Sequence, residues 1–252
     1  MGALLALSGT LPAIVFMALV ARADSKRPEP KKQLYLATLF GGLSTIPVIF
    51  LQLGLEKGNP GGVPGAFYTS FLVAALTEES AKALALYFAV WRHPAFDERL
   101  DGIVYATRAG LGFALVENVG YLMGAESISG FIGIFVVRAV LAVPGHAIYA
   151  GYMGYWAARK KFDGVGPGLL GGLAIAIFLH GAYDAALFLI AVLAKGSQQL
   201  LILPLLFVPI VVVIGGYRRL AAHAREAVRL DDITHAPRPM PRLPFGIGFV
   251  LR

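Results

Sequence analysis

The stretch Ala66–Trp91 reads AFYTSFLVAALTEESAKALALYFAVW. As a helix rising about 1.5 Å per residue, it is long enough to cross a hydrocarbon core of about 30 Å. Near its middle stand Glu78, Glu79 and Lys82. A charge at the centre of a spanning helix costs about 2.5–3.5 kcal/mol even on insertion scales, so three in one helix need partners or a wet cavity. The stretch therefore predicts a membrane protein with a polar site inside its spans.

The rest of the chain agrees. Of 252 residues, 57% are hydrophobic and 15% charged, whereas a soluble domain is nearer a quarter charged. Further apolar runs predict spans over Met1–Ala21, Leu34–Leu55, Gly102–Gly124, Gly130–Ala158, Gly166–Ala194 and Leu200–Tyr217. The first reads as a span rather than a cleaved signal, because it lacks a basic leader. With Ala66–Trp91 this gives an all-α integral membrane protein, a polytopic bundle of about seven transmembrane helices. Lys and Arg gather on alternate connections: Arg22, Lys26, Arg27, Lys31 and Lys32; then Arg92 and Arg99; then Arg159, Lys160 and Lys161; then Arg218 and Arg219. The intervening connections carry at most one each. By the positive-inside rule the N-terminus is outside and the C-terminus cytoplasmic.

Residues 1–217 thus form the membrane domain of a multi-pass cell-membrane protein, with the polar site in spans three to six, about 66–194. Residues 218–252 read as a basic cytoplasmic juxtamembrane helix, its arginines facing anionic lipid, then a flexible tail with Pro237, Pro239, Pro241 and Pro244. The net charge of +7 serves membrane orientation; with no binding module, no nucleic-acid partner is expected. There is no cysteine, which removes disulfides, thiolate metal sites and thiol nucleophiles.

Titratable groups recur in four spans: Glu78, Glu79 and Lys82; Arg108, Glu117 and Asn118; Arg138 and His146; His180 and Asp184. Counted from the outer end of each span, Glu78 lies at about 18 Å, Glu117 at about 10 Å, His146 at about 24 Å and His180 at about 20 Å. One shared site is the economical reading. Glu78 with Lys82, and His180 with Asp184, are four apart and share a helix face; an aspartate beside a histidine would fix its tautomer. Pro144 and Gly145 should bend or unwind the helix ahead of His146. Gly110, Gly112, Gly171 and Gly172 should allow close helix approach. Each group has a structural alternative: Arg108 snorkelling to headgroups, Arg138 paired with Glu117, a lone histidine simply hydrogen-bonded. Adjacent buried glutamates are harder to explain as packing.

The chain has no His-Glu-x-x-His, no Gly-x-Ser-Gly and no second intramembrane aspartate for an aspartyl dyad. Glutamate with histidine remains. A proton- or ion-coupled transporter using a Glu–His–Asp relay, or a noncatalytic scaffold, stays open on these residues alone.

Glu78-Glu79-Ser80-Ala81-Lys82, Phe113-Ala114-Leu115-Val116-Glu117-Asn118, Pro144-Gly145-His146 and His180-Gly181-Ala182-Tyr183-Asp184 together resemble, in order and span, the motifs of the PrsW family of intramembrane proteases. The resemblance covers spans three to six. It implies a glutamic-type endopeptidase, distantly related to the type II CAAX prenyl proteases, that cuts membrane-anchored proteins such as anti-sigma factors. Glu78 or Glu79 would then activate water, with Glu117 assisting. His180, held by Asp184, would stabilise the oxyanion or protonate the leaving amine, His146 with Asn118 would donate further hydrogen bonds, and Lys82 would restrain the charge of Glu78. No cofactor is favoured; a zinc version remains open in which Glu79, Glu117, His146 and His180 supply the ligands.

Overall fold

The computed structural model describes residues 7–196 and 198–235 and is all-helical there. The helices are α1 (Thr10–Ala23), α2 (Lys31–Leu43), α3 (Thr45–Leu55), α4 (Gly62–Phe67), α5 (Leu76–Val90), α6 (Arg99–Met123), α7 (Ile128–Val137), α8 (Val143–Asp163), α9 (Gly168–Leu193), α10 (Ile202–Leu205) and α11 (Phe207–His235). Wide π-helical turns, Tyr68–Ala75 and Arg138–Ala142, join α4 to α5 and α7 to α8 without a break.

Four continuous helical stretches are long and apolar enough to cross a membrane: Lys31–Gly58, Ile128–Asp163, Gly168–Leu193 and Gln199–His235. Thr10–Arg22 is a shorter apolar helix. The helices holding Glu78 and Glu117 are long but fall outside this group. Their charges lower the very hydropathy by which a span is recognised, which is what an internal polar site does to the helices that build it. Large apolar side chains point outward along the bundle, among them Phe50 (71% exposed), Phe88 (69%) and Leu170 (79%), as lipid-facing positions do.

α6 is the central helix, packed against α2, α5 and α8. Glycines set the spacing: a Cβ on Gly102 or on Gly154 would run into the carbonyl of the other, and one on Gly110 would lie 2.6 Å from the carbonyl oxygen of His146. Backbone approach this close needs residues without side chains. Gly112 plays the same part against α2, and Gly172 against Met153. Gly171 instead faces only Pro167 of its own turn. The expected disturbance before His146 takes the form of the Arg138–Ala142 π turn. Pro144 has no N–H to return to the preceding turn, and the widened turn accommodates the loss.

The end of the bundle where α6 begins and α8 and α11 finish is laced by ion pairs. Asp231 is fully buried and accepts from the N–H groups of Arg99 (3.0 Å) and Leu100 (3.1 Å) and from the Arg99 guanidinium (2.9 Å). It thus satisfies donors that the N-terminus of α6 leaves free. Glu226 takes Arg159 and Tyr155, and Asp232 takes Lys26 and Arg27. The sequence marked this helix by its arginines. Arg218, Arg219, Arg225 and Arg229 are indeed exposed, but the acidic residues among and after them, Glu226, Asp231 and Asp232, dock it. The Pro-rich segment from residue 236 onward lies outside the described residues.

Candidate active site

The centre of the bundle is organised by Lys82, whose side chain is fully buried. A buried ammonium requires counter-charge and acceptors for its three donors. Its Nζ donates to Glu79 Oε1 (2.6 Å), lies 2.8 Å from His146 Nδ1 and 3.5 Å from Glu78 Oε2, and sits 4.5 Å from the centroid of the Phe113 ring. An ammonium offers only protons, so His146 Nδ1 accepts, and Nε2–H is left to donate to Glu117 Oε2 at 2.9 Å. Lys82 thereby fixes the tautomer of His146.

The adjacent glutamates diverge, as the turn of about 100° between neighbouring helix positions requires. Glu79 is fully buried and held between Lys82 and His180 Nδ1 (2.8 Å). Glu78 lines a cavity of about 930 Å³. Gln52 of α3 donates to Glu78 Oε1 (3.1 Å) and to Thr77 Oγ1 (3.3 Å), while Glu78 Oε2, though buried, has no hydrogen-bond partner among the described residues. Glu117, His146, His180 and Asp184 line the same cavity. His180 Nε2 lies 3.2 Å from Asp184 Oδ2 and 3.9 Å from Glu78 Oε2. Its ring packs edge-on to His146 and flat against Tyr149, with centroids 5.4 and 5.2 Å away.

The structure therefore gathers Glu78, Glu79, Lys82, Glu117, His146, His180 and Asp184 into one cluster. Glu117 and His146 touch although their residue counts put them about 14 Å apart in depth. The Ile128–Asp163 stretch that carries His146 runs for 36 residues, about 54 Å of helix. A helix that outruns the membrane core leans or protrudes, so depths counted along it overshoot. Asn118 is placed elsewhere: its Nδ2 donates to the Gly9 carbonyl (3.1 Å) and its Oδ1 accepts from Arg138 Nε, so its amide is committed to holding α1 and Arg138. Arg138 also ion-pairs with Glu117 and lies 3.9 Å over the Tyr121 ring.

Two cavity residues escaped the sequence reading. Gln52 sits in the second apolar stretch, where a lone amide is a faint signal. Tyr149, three residues after His146, read as one more aromatic in an apolar helix.

A profile described as "PrsW family intramembrane metalloprotease" matches residues 29–214. The chain belongs to the PrsW family. Protease PrsW of Bacillus subtilis (strain 168) is 35% identical over 180 residues, covering 70% of this chain and 79% of the relative. Protease PrsW of Clostridioides difficile (strain 630) is 35% identical over 179 residues, 69% and 75% of the two chains. That of Geobacillus kaustophilus (strain HTA426) is 34% identical over 181 residues, 70% and 76%. No solved structure matches the chain. PrsW membership makes this chain an intramembrane endopeptidase, in keeping with its membrane-spanning helices.

The family description also implies a metal ion. Among the described residues, Glu78, Glu117 and His146 can bring one ligand atom each within 4.8 Å of one another. Two carboxylates and an imidazole are a zinc-like donor set, and Glu78 Oε2 makes no hydrogen bond among the described residues; His146 would join them through Nε2 only if Lys82 gave up a proton, so that Nδ1 and not Nε2 carries the imidazole hydrogen. This trio is not the set expected from the sequence. Glu79 is committed to Lys82 and His180, and His180 lies between Glu79 and Asp184.

Proposed function

We propose that the PrsW-family activity of this chain is a glutamic-type hydrolysis of membrane-anchored proteins, with Glu78 as the general base. The observation that carries this reading is the cavity of about 930 Å³ whose wall presents Glu78 with one oxygen held by Gln52 and the other making no hydrogen bond among the described residues, 3.5 Å from the Lys82 ammonium. A carboxylate held in one orientation with a free oxygen is suited to take a proton from water as that water attacks a carbonyl carbon. Glu117, which keeps 20% of its side-chain exposure, helps place the water. His180, oriented by Asp184 and reaching toward Glu78, returns the proton to the leaving nitrogen. Glu79 acts through Lys82 and His180 rather than on the substrate.

Lys82 and Arg138 place positive charge against Glu79 and Glu117, and this supports a site that works without a metal. A divalent ion, when bound, would be held by Glu78, Glu117 and His146 and would supply Lewis-acid polarisation of the carbonyl and a more acidic water. We also infer seven spans with the N-terminus outside, since the basic connections fall on the side where Arg99, Asp163 and Asp231 meet.

The test compares new protein N-termini in membranes carrying the wild type or the Glu78→Gln, Glu79→Gln double variant at equal abundance. Termini near membrane spans that vanish in the variant identify substrates of this class, a signalling regulator such as an anti-sigma factor among the candidates. An unchanged profile transfers the reading to ion-coupled transport. The purified protein should keep its activity after prolonged chelation; loss restored by zinc would overturn the metal-free mechanism.

A further inference from the structure

Tyr149 is 2% exposed, lines the cavity, and its hydroxyl has no hydrogen-bond partner among the described residues. Buried hydroxyls are nearly always satisfied, so one left without a partner in a residue that lines a reaction cavity calls for an explanation. Its ring is fixed by a flat contact with His180, at 21° between planes, and it leans back along α8 as helical side chains do. A Cβ on Gly145 would lie 2.9 Å from its oxygen, so the glycine before His146 is what leaves room for the hydroxyl.

We propose that Tyr149 is a catalytic residue: its hydroxyl donates a hydrogen bond to the oxyanion formed when water attacks the scissile carbonyl. The proposal rests on the reading of this cavity as a peptidase site. In the step, a water oxygen bonds to the carbonyl carbon, its proton passes to Glu78, and the carbonyl π pair moves onto oxygen. Tyr149 stabilises that negative charge without giving up its proton. Collapse re-forms the carbonyl, breaks the carbon–nitrogen bond, and the departing nitrogen takes, by way of His180, the proton that Glu78 received. The products are an amine and a carboxylic acid. A donor already placed and desolvated stabilises developing charge without reorganisation. The empty partner slot on Tyr149 is the form such a donor takes before substrate arrives.

Tyr149→Phe in the full-length protein, reconstituted in lipid vesicles with a fluorogenic membrane-anchored peptide, separates this role from packing. Loss of one oxyanion donor lowers kcat about 100- to 1000-fold, with KM expected to hold within about threefold because the bond forms only in the transition state. The melting temperature should hold or rise, since the change removes an unpartnered buried hydroxyl and keeps the ring. Full kcat, a rise in KM alone, or a fall in melting temperature matching the loss of activity would each overturn the proposal. Glu78→Gln is assayed alongside: if it is inactive while Tyr149→Phe is fully active, only the tyrosine assignment fails; if both are active, the peptidase reading of the cavity fails with it.

Discussion

Glu78 and Glu79 are chain neighbours with opposite surroundings, and replacing each by glutamine should produce different defects. Glu78→Gln removes the proton acceptor of the cavity wall and should lower turnover by about 100- to 10,000-fold, the usual worth of a general base, while the protein melts near the wild-type temperature. Glu79→Gln takes the closest counter-charge from Lys82, 2.6 Å away and fully buried. Breaking a buried pair from one side costs about 3–5 kcal/mol, so that variant should also unfold at distinctly lower temperature in detergent. Equal melting temperatures would undo the division of labour. The existence of the cluster was legible in the sequence, because charges in apolar helices are conspicuous and the i, i+4 spacings put them on shared faces. The division between the two glutamates was not, since it depends on where Lys82 and His180 arrive from other elements. Gln52 and Tyr149 were silent for a related reason: neutral polar groups are cheap enough in a helix to pass unnoticed until their partners, or lack of partners, are visible.

At the level of elements, α6 depends on its N-terminus. Asp101 lies in its first turn, ahead of the apolar stretch, and its Oδ2 accepts from the N–H groups of Asp97 (2.8 Å) and Glu98 (2.6 Å). Burial, reinforced by a hydrogen bond with Glu29 and that residue's charge, pushes its carboxyl from 3.8 up to about 9. Between those values the folded chain holds a proton that the unfolded chain releases, so this group's contribution to stability is whole below about pH 4 and declines as pH rises towards 9. Asp101→Asn keeps the acceptor and supplies a permanent donor. It should be more stable than wild type near pH 8, with the gap closing towards pH 4; a constant gap in thermal melts across that range would refute the assignment. The helices themselves were legible from hydropathy, but their ends less so: the span read as ending at Ala158 continues as helix to Asp163, where Gly164 closes it with φ 71°. A disturbance ahead of His146 was legible from Pro144 and Gly145, but the π form it takes at Arg138–Ala142, and the π turn at Tyr68–Ala75, were not.

For the whole molecule, the seven-span arrangement makes a direct prediction, helped by the absence of native cysteine. Single cysteines replacing Lys57, Glu126 or Lys195 should react with a membrane-impermeant maleimide on intact cells, and those replacing Arg92 or Lys160 only after permeabilisation. The reverse pattern would invert the topology, and a mixed one would change the span count. The helical bundle could be read from hydropathy. The docking of α11 could not, because the sequence advertises its exposed arginines and hides the aspartate that matters. Asp231 lies beyond every residue of the catalytic cluster, yet it closes the end of the helix that carries Glu117. A ribosome making this chain delivers the whole cutting apparatus to the membrane before it delivers the clasp. The nascent enzyme should stay harmless to the proteins around it until Asp231 has been made, and chains stopped at Tyr217 should accumulate in the membrane without cutting anything.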